Sequence, residues 1–196
     1  MKKTLYLMRH GETLFNVRRK IQGWSDSPLT ETGIKQAQIA KEYFKQNHIV
    51  IDHAYSSTSE RASDTLEIVT GGLLAYERVK DLREMNYGTF ESESQDLNPS
   101  REAYETFFCA YGGESRSQVR ARIVPAIKNI MDKEDHACVL VVSHAGACFQ
   151  FLGHTGSAYE DYAHAFGNCG IIKYAYDNGV FTPLEVIAHD FSSITD

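Results

Sequence analysis

The run "ACVLVVS" at residues 137–143 restricts the fold more than any other part of the chain. Apolar and β-branched residues follow one another there with no polar position between them. That is the pattern of a strand covered on both faces, and so of a parallel sheet flanked by helices. A second such run, "TLYLM" at residues 4–8, opens the chain and is cut short by Arg9 and His10. It lacks the length of a secretion signal, about 7 to 15 apolar residues. No stretch reaches the roughly 18 apolar residues of a membrane span. The expectation is a cytoplasmic protein without a membrane partner.

Helical signals separate the strands. Thr30 is expected to cap a helix reaching about Gln46, with an inner stripe of Ile34, Ala37, Ala40 and Phe44 and a Leu29–Ile34 staple. "IVIDHAYSS" reads as the next strand. "STSE" then reads as a capping box, Ser57 capping and Glu60 reaching back, which puts Arg61 in the first turn of a helix lined by Ala62, Thr65, Leu66 and Val69. "YERVKDL" reads as a strand. Val119, Ile123, Ala126, Ile127, Ile130 and Met131 recur at helical spacing, with a kink expected at Pro125. A short helix, Ala145 to Leu152, follows His144, and "GIIKYAYDNGVFTPLEVI" closes as a hairpin about its "DNG" turn.

Strands alternating with helices predict a three-layer α/β/α sandwich, mostly parallel in its central sheet and antiparallel at its C-terminal edge. The 196 residues suit one domain, 1–196, burying about 70% of its unfolded surface. The polar, acidic stretch at about 84–115 reads as an excursion covering one edge of the sheet. A net charge of −6 argues against a nucleic-acid partner, which Lys and Arg must neutralise. Cys109, Cys138, Cys148 and Cys169 lack metal-ligand spacing and read as buried free thiols. Oligomeric state is left open, a homodimer among the options.

Open α/β sheets bind ligands outside the carboxyl ends of their strands. Arg9 and His10 follow the first strand, Arg61 the second, Glu84 the third and His144 the fourth. A phosphate monoester, with a charge of about −1.5 to −2, needs two or three fixed cationic donors. Arg9, Arg61 and His144 are candidates, arginine because its planar fork matches phosphate oxygens. Gly11 is expected to let backbone approach the ligand, and the N–H groups after His144 to add donors. His10, kept neutral by the arginines, is the candidate nucleophile. Glu84, if desolvated, is the candidate acid for the leaving alkoxide. No metal or cofactor is called for in such a site.

Six ordered segments carry a resemblance to a known family: "LYLMRHGETLFN", "IQGWSDSPLTETG", "AYSSTSERASDT", "LREMNYG", "GGES" and "VVSHAG". The chain resembles the histidine phosphatase superfamily, in its phosphoglycerate mutase-like branch. The resemblance implies a phosphohistidine on His10, phosphate held by Arg9, Arg61 and His144, and Glu84 as proton donor. It places Gly11, Asn16, Gln22, Gly23, Tyr87 and Ala145 around the phosphate and substrate. Ser92 stands where the family often has glycine, and "SHAGA" replaces its "SHGG" type of ending.

Three outcomes fit these residues: hydrolysis of a small phosphomonoester, transfer between hydroxyls as in a mutase, and silent phosphoryl binding. In residues 84–115 acids far outnumber Arg101, which predicts repulsion of a polyanionic carboxylate and favours the hydrolase. Tyr104, Phe107, Phe108 and Tyr111 read as packing or as an apolar wall, and Trp24 as packing or a substrate contact. Arg18, Arg19 and Lys20, close to the expected pocket, read as a solvated face, with substrate steering as the alternative. His48, His53, His136, His154, His164 and His189 match no motif.

Overall fold

The computed structural model describes residues 2–100, 102–158, 160–163 and 165–194; Arg101 and His164 lie outside them. Six strands form one sheet, in the order β3-β2-β4-β1-β5-β6. They are β1 (Lys3–Arg9), β2 (His53–Ser57), β3 (Tyr76–Val79), β4 (Cys138–Ser143), β5 (Ile171–Asp177) and β6 (Val180–Ile187). The first four pair in parallel, while β5 runs antiparallel to both β1 and β6. The predicted hairpin closes through Asn178 and Gly179, whose φ values of 49° and 85° fit the two left-handed positions of a type I′ turn.

Strand alternation divides the core into two layers. Leu5, Leu7, Val139 and Val141 pack on one face with Val119, Ile123 and Ile127 of α4 (Arg116–Asp132) and Phe151 of α5 (Ala145–His154). Tyr6, Met8, Leu140 and Val142 pack on the other with Ala37 and Ala40 of α2 (Glu31–Gln46) and Ala62 and Leu66 of α3 (Glu60–Thr70). Short turns α1 (Leu14–Val17) and α6 (Glu160–Ala163) complete the helices. Helix α4 is one continuous element through Pro125. No described helix is long and apolar enough to cross a membrane. The segment between β3 and α4 has no long element and winds through short tight turns.

Several local expectations are corrected. Thr30 does cap α2, but Ile34 is exposed, because the helix meets the preceding loop through Gly33 and Gln36. A Cβ on Gly33 would lie 2.0 Å from the Glu12 carbonyl oxygen. Ser57 does not cap α3: Ser59 holds the N-cap position without a side-chain bond, and Asp26 accepts the Glu60 N–H at 2.6 Å. "YERVKDL" is strand only to Val79. All four cysteines are free, but Cys109 is exposed and Cys138 only partly buried.

Candidate active site

The register of the parallel strands aligns their carboxyl ends, with Arg9 beside Ser143 across β1 and β4 and Ser57 ending β2 beside Val79. His10 follows immediately, buried, its N–H donating to the Ser143 carbonyl at 3.1 Å. Its ring Nδ1 lies 2.8 Å from the Gly11 carbonyl oxygen. A carbonyl can only accept, so Nδ1 carries the hydrogen and Nε2 keeps its lone pair. Burial, then Arg61 and Arg9, hold the imidazole well below the ordinary histidine range, so the ring is neutral at pH 7.

His144 stands edge-on to His10, with ring centroids 5.2 Å apart. Its Nε2 meets Ser57 Oγ at 2.7 Å, an oxygen that also accepts the Ser59 N–H at 3.2 Å, and its Nδ1 is buried without a partner. Burial, then Arg61, hold this imidazole neutral as well. Among the described residues six buried side-chain polar atoms lack a partner, and three are Arg9 Nε, Arg61 Nε and His144 Nδ1. Orphaned nitrogens are rare in native interiors, and their concentration around His10 marks a place for an anion.

Arg61 has no exposed surface. Its terminal nitrogens donate to the carbonyls of Gly23 (2.9 Å) and Ser25 (3.0 Å) and to Asp26 Oδ1 (2.8 Å). The same turn is held from its other side by Glu91, whose carboxylate accepts the N–H groups of Gly23, Trp24, Ser25 and Tyr87 and the Ser25 hydroxyl.

Glu84 is buried, as expected. Its Oε1 accepts from the N–H groups of Met85 (2.8 Å) and Ala147 (3.0 Å), and its Oε2 from Gly146 (2.8 Å). The first N–H groups of α5 therefore position Glu84, which corrects the expectation that they face a ligand. Arg122 fixes the same segment, pairing with Glu114 and donating to the carbonyls of Asp81, Arg83 and Glu84. Trp24 is a packing residue here: Arg83 lies over its ring and its indole N–H donates to the Glu84 carbonyl.

A cavity of about 130 Å³ is lined by Arg9, His10, Asn16, Gln22, Glu84, Tyr87 and Ala145, all anticipated, by Lys20 and Tyr104, each weighed as a possible substrate contact, and by Ile21, Gln95 and Asn98, which were not anticipated. Arg61 and His144 lie buried beyond its lining. Gly11 and Gly23 do not line it, and their smallness serves packing: a Cβ would meet the Gly33 carbonyl oxygen at 2.7 Å and the Met85 carbonyl oxygen at 2.1 Å. Lys20 separates from the supposed solvated face, whereas Arg19 pairs with exposed Asp96 at 2.9 Å. The aromatic group also divides, Phe107, Phe108 and Tyr111 packing edge to face with Phe90 or one another. His53 and His136 stack at 3.7 Å at the amino ends of β2 and β4, remote from this rim.

The family model for the histidine phosphatase superfamily (branch 1) matches residues 5–188. The chain belongs to that superfamily. This histidine phosphatase superfamily member is 33% identical to a Proteus mirabilis (strain HI4320) protein named "Probable phosphoglycerate mutase GpmB", over 98% of this chain and 95% of the relative. Among solved structures it matches Bacillus stearothermophilus YhfR at 31% identity and a TM-score of 0.78, covering 92% of this chain and 95% of YhfR. It shares its fold with the phosphoserine phosphatase of Entamoeba histolytica, at 24% identity and a TM-score of 0.77, covering 97% and 98%. Both phosphatases and mutases thus stand among its likenesses.

Asp26, Glu91 and Arg122 were not anticipated, and each acts at least partly on backbone groups, a kind of partner that no side-chain pattern announces. Arg116 and Arg120, four apart at the start of α4, carried a legible helical spacing but lay just outside the stretch whose charge was weighed.

Proposed function

We propose that this chain hydrolyses small phosphomonoesters through a phosphohistidine on His10. The hydrogen bond from His10 Nδ1 to the Gly11 carbonyl carries the reading, because it leaves Nε2 as a fixed lone pair on a neutral ring. In the first half-reaction Nε2 forms a bond to phosphorus while the ester P–O bond breaks. Glu84 gives its proton to the departing alkoxide. In the second, water attacks phosphorus, Glu84 takes the proton, and the N–P bond breaks to free phosphate. Arg9 at the cavity wall holds the phosphoryl oxygens, backed by Arg61 and His144, which lie buried behind the lining with Nε and Nδ1 unpartnered, and the arginines stabilise the charge of the transition state. Asn16, Gln22, Tyr87 and Ala145 shape the pocket, and Gly11 and Gly23 permit its close packing.

Hydrolysis rather than mutation is supported by space. The 130 Å³ cavity holds about four waters' worth of volume, enough for a phosphoryl group and little else. It adjoins a cavity of about 700 Å³ that shares Glu84, Tyr87, Tyr104 and Ala145 with it. A mutase must pass the phosphoryl group from His10 to a second hydroxyl before water takes it, and so wide an antechamber offers water a path to the phosphohistidine. The mutase is the second reading, favoured by the name of the Proteus relative. Phosphate release from p-nitrophenyl phosphate in the presence of a chelator is the expected result; interconversion of phosphoglycerates without phosphate release would establish the mutase instead.

A further inference from the structure

The acidic composition of the covering stretch does not describe the charge that a substrate meets. Asp96 is taken by Arg19, Glu114 by Arg122, and Glu91 by backbone N–H groups. Among the described residues, the acids lining the 700 Å³ compartment are Glu84 and Glu105, and Glu105 accepts the Ser117 N–H at 3.1 Å. Facing them are two arginines of α4, Arg116 and Arg120, one helical turn apart.

Neither arginine has a carboxylate within ion-pair distance among the described residues. Arg116 lies over the Tyr104 ring at 4.7 Å, and Arg120 donates to Gln150 Oε1 at 3.1 Å. Like charges at this spacing oppose the helix that carries them, and neither the ring nor the amide brings an opposite charge to offset this. The same lining includes the apolar side chains of Met85, Val119, Phe149 and Leu152 beside the polar Gln150 and Ser157. A volume of about 700 Å³ is that of a pocket for a ring-sized organic ligand.

We infer that this compartment takes the alcohol portion of the ester, a ring-sized apolar body bearing its own anionic group, carboxylate or phosphate, bound by Arg116 and Arg120. The inference rests on the phosphoryl-transfer reading, since Glu84 at the seam of the two cavities is what joins alcohol to phosphate. Arg116 and Arg120 become the specificity-determining residues. The predicted exclusion of anionic substrates is thereby reversed, because most of the acids counted in the sequence are engaged by arginines or N–H groups.

Three non-hydrolysable benzylphosphonates test this by calorimetry, para-substituted with a carboxamide, a carboxylate or a second phosphonomethyl group. The wild-type protein is expected to bind at least one anionic probe fivefold or more tighter than the amide, and the stronger of the two names the preferred anion. Arg116→Met/Arg120→Met is expected to bind all three alike, with each single substitution losing part of the preference. Equal affinities in the wild type, or a preference that survives the double substitution, would overturn the inference. So would failure to bind any phosphonate while inorganic phosphate still binds. Failure to bind inorganic phosphate would instead remove the phosphoryl-site reading, and this inference with it.

Discussion

Glu91 and Arg61 grip opposite sides of one turn: Glu91 takes the N–H groups of Gly23, Trp24 and Ser25, and Arg61 donates to the carbonyls of Gly23 and Ser25. The buried guanidinium is thus aimed by a carboxylate it never touches. Glu91→Gln puts an amide NH2 where N–H donors converge, at a cost of about 1–3 kcal/mol. The expected result is a tenfold or greater rise in the inhibition constant of inorganic phosphate, matched by a fall in kcat/KM. An unchanged inhibition constant would show that the turn holds Arg61 without Glu91.

Glu84 depends in the same way on a residue with no side chain. A Cβ on Gly146 would stand 2.5 Å from Glu84 Oε1. Gly146→Ala is therefore expected to displace the acid, slowing alkyl phosphates at least tenfold more than p-nitrophenyl phosphate, whose leaving group needs no proton. Glu84→Gln should show the same bias more strongly. Equal losses on both ester types would take Glu84 out of the acid role.

The strand and helix order, the antiparallel edge and the residues of the rim were legible because periodicity and strand ends are written in side chains. What escaped was written in the backbone. Ser57 satisfied a capping-box pattern, yet its hydroxyl meets His144, 87 residues further along the chain. Gly11 was expected to make room for a ligand and instead makes room for α2. The acids of residues 84–115 were counted as a field, whereas the fold pairs most of them with arginines or N–H groups.

Ser92 occupies the family's glycine position with a φ of 69°, in the left-handed region that costs a side chain about 1–2 kcal/mol. Glycine loses more chain entropy on folding, which offsets part of this. Ser92→Gly is expected to raise stability by about 0.5–1 kcal/mol, read as a higher urea midpoint at an unchanged slope. A lower midpoint would mean that Ser92 is not strained.

His10 and His144 are both held well below the ordinary histidine range, first by burial and then by Arg61. Near pH 6.5 an unfolded histidine takes up a proton that the folded protein refuses, so the unfolded state binds more protons as the pH falls. Stability is complete above pH 6.5 and is lost below it, toward the folded-state values. The urea midpoint should fall between pH 7 and pH 5, and His10→Asn, which keeps a donor for Gly11, should flatten that slope. A midpoint independent of pH over this window would contradict the buried neutral state of these rings.

Nε2 of His10 is the proposed nucleophile, because Nδ1 is committed to Gly11. Rapid quenching into alkali during turnover of p-nitrophenyl phosphate, followed by phosphorus NMR and peptide mapping, measures this directly. The expected result is an acid-labile phosphoryl group on His10, attached at Nε2, and none in His10→Ala. Phosphate on Nδ1 or on another residue, or full turnover by His10→Ala, would contradict it.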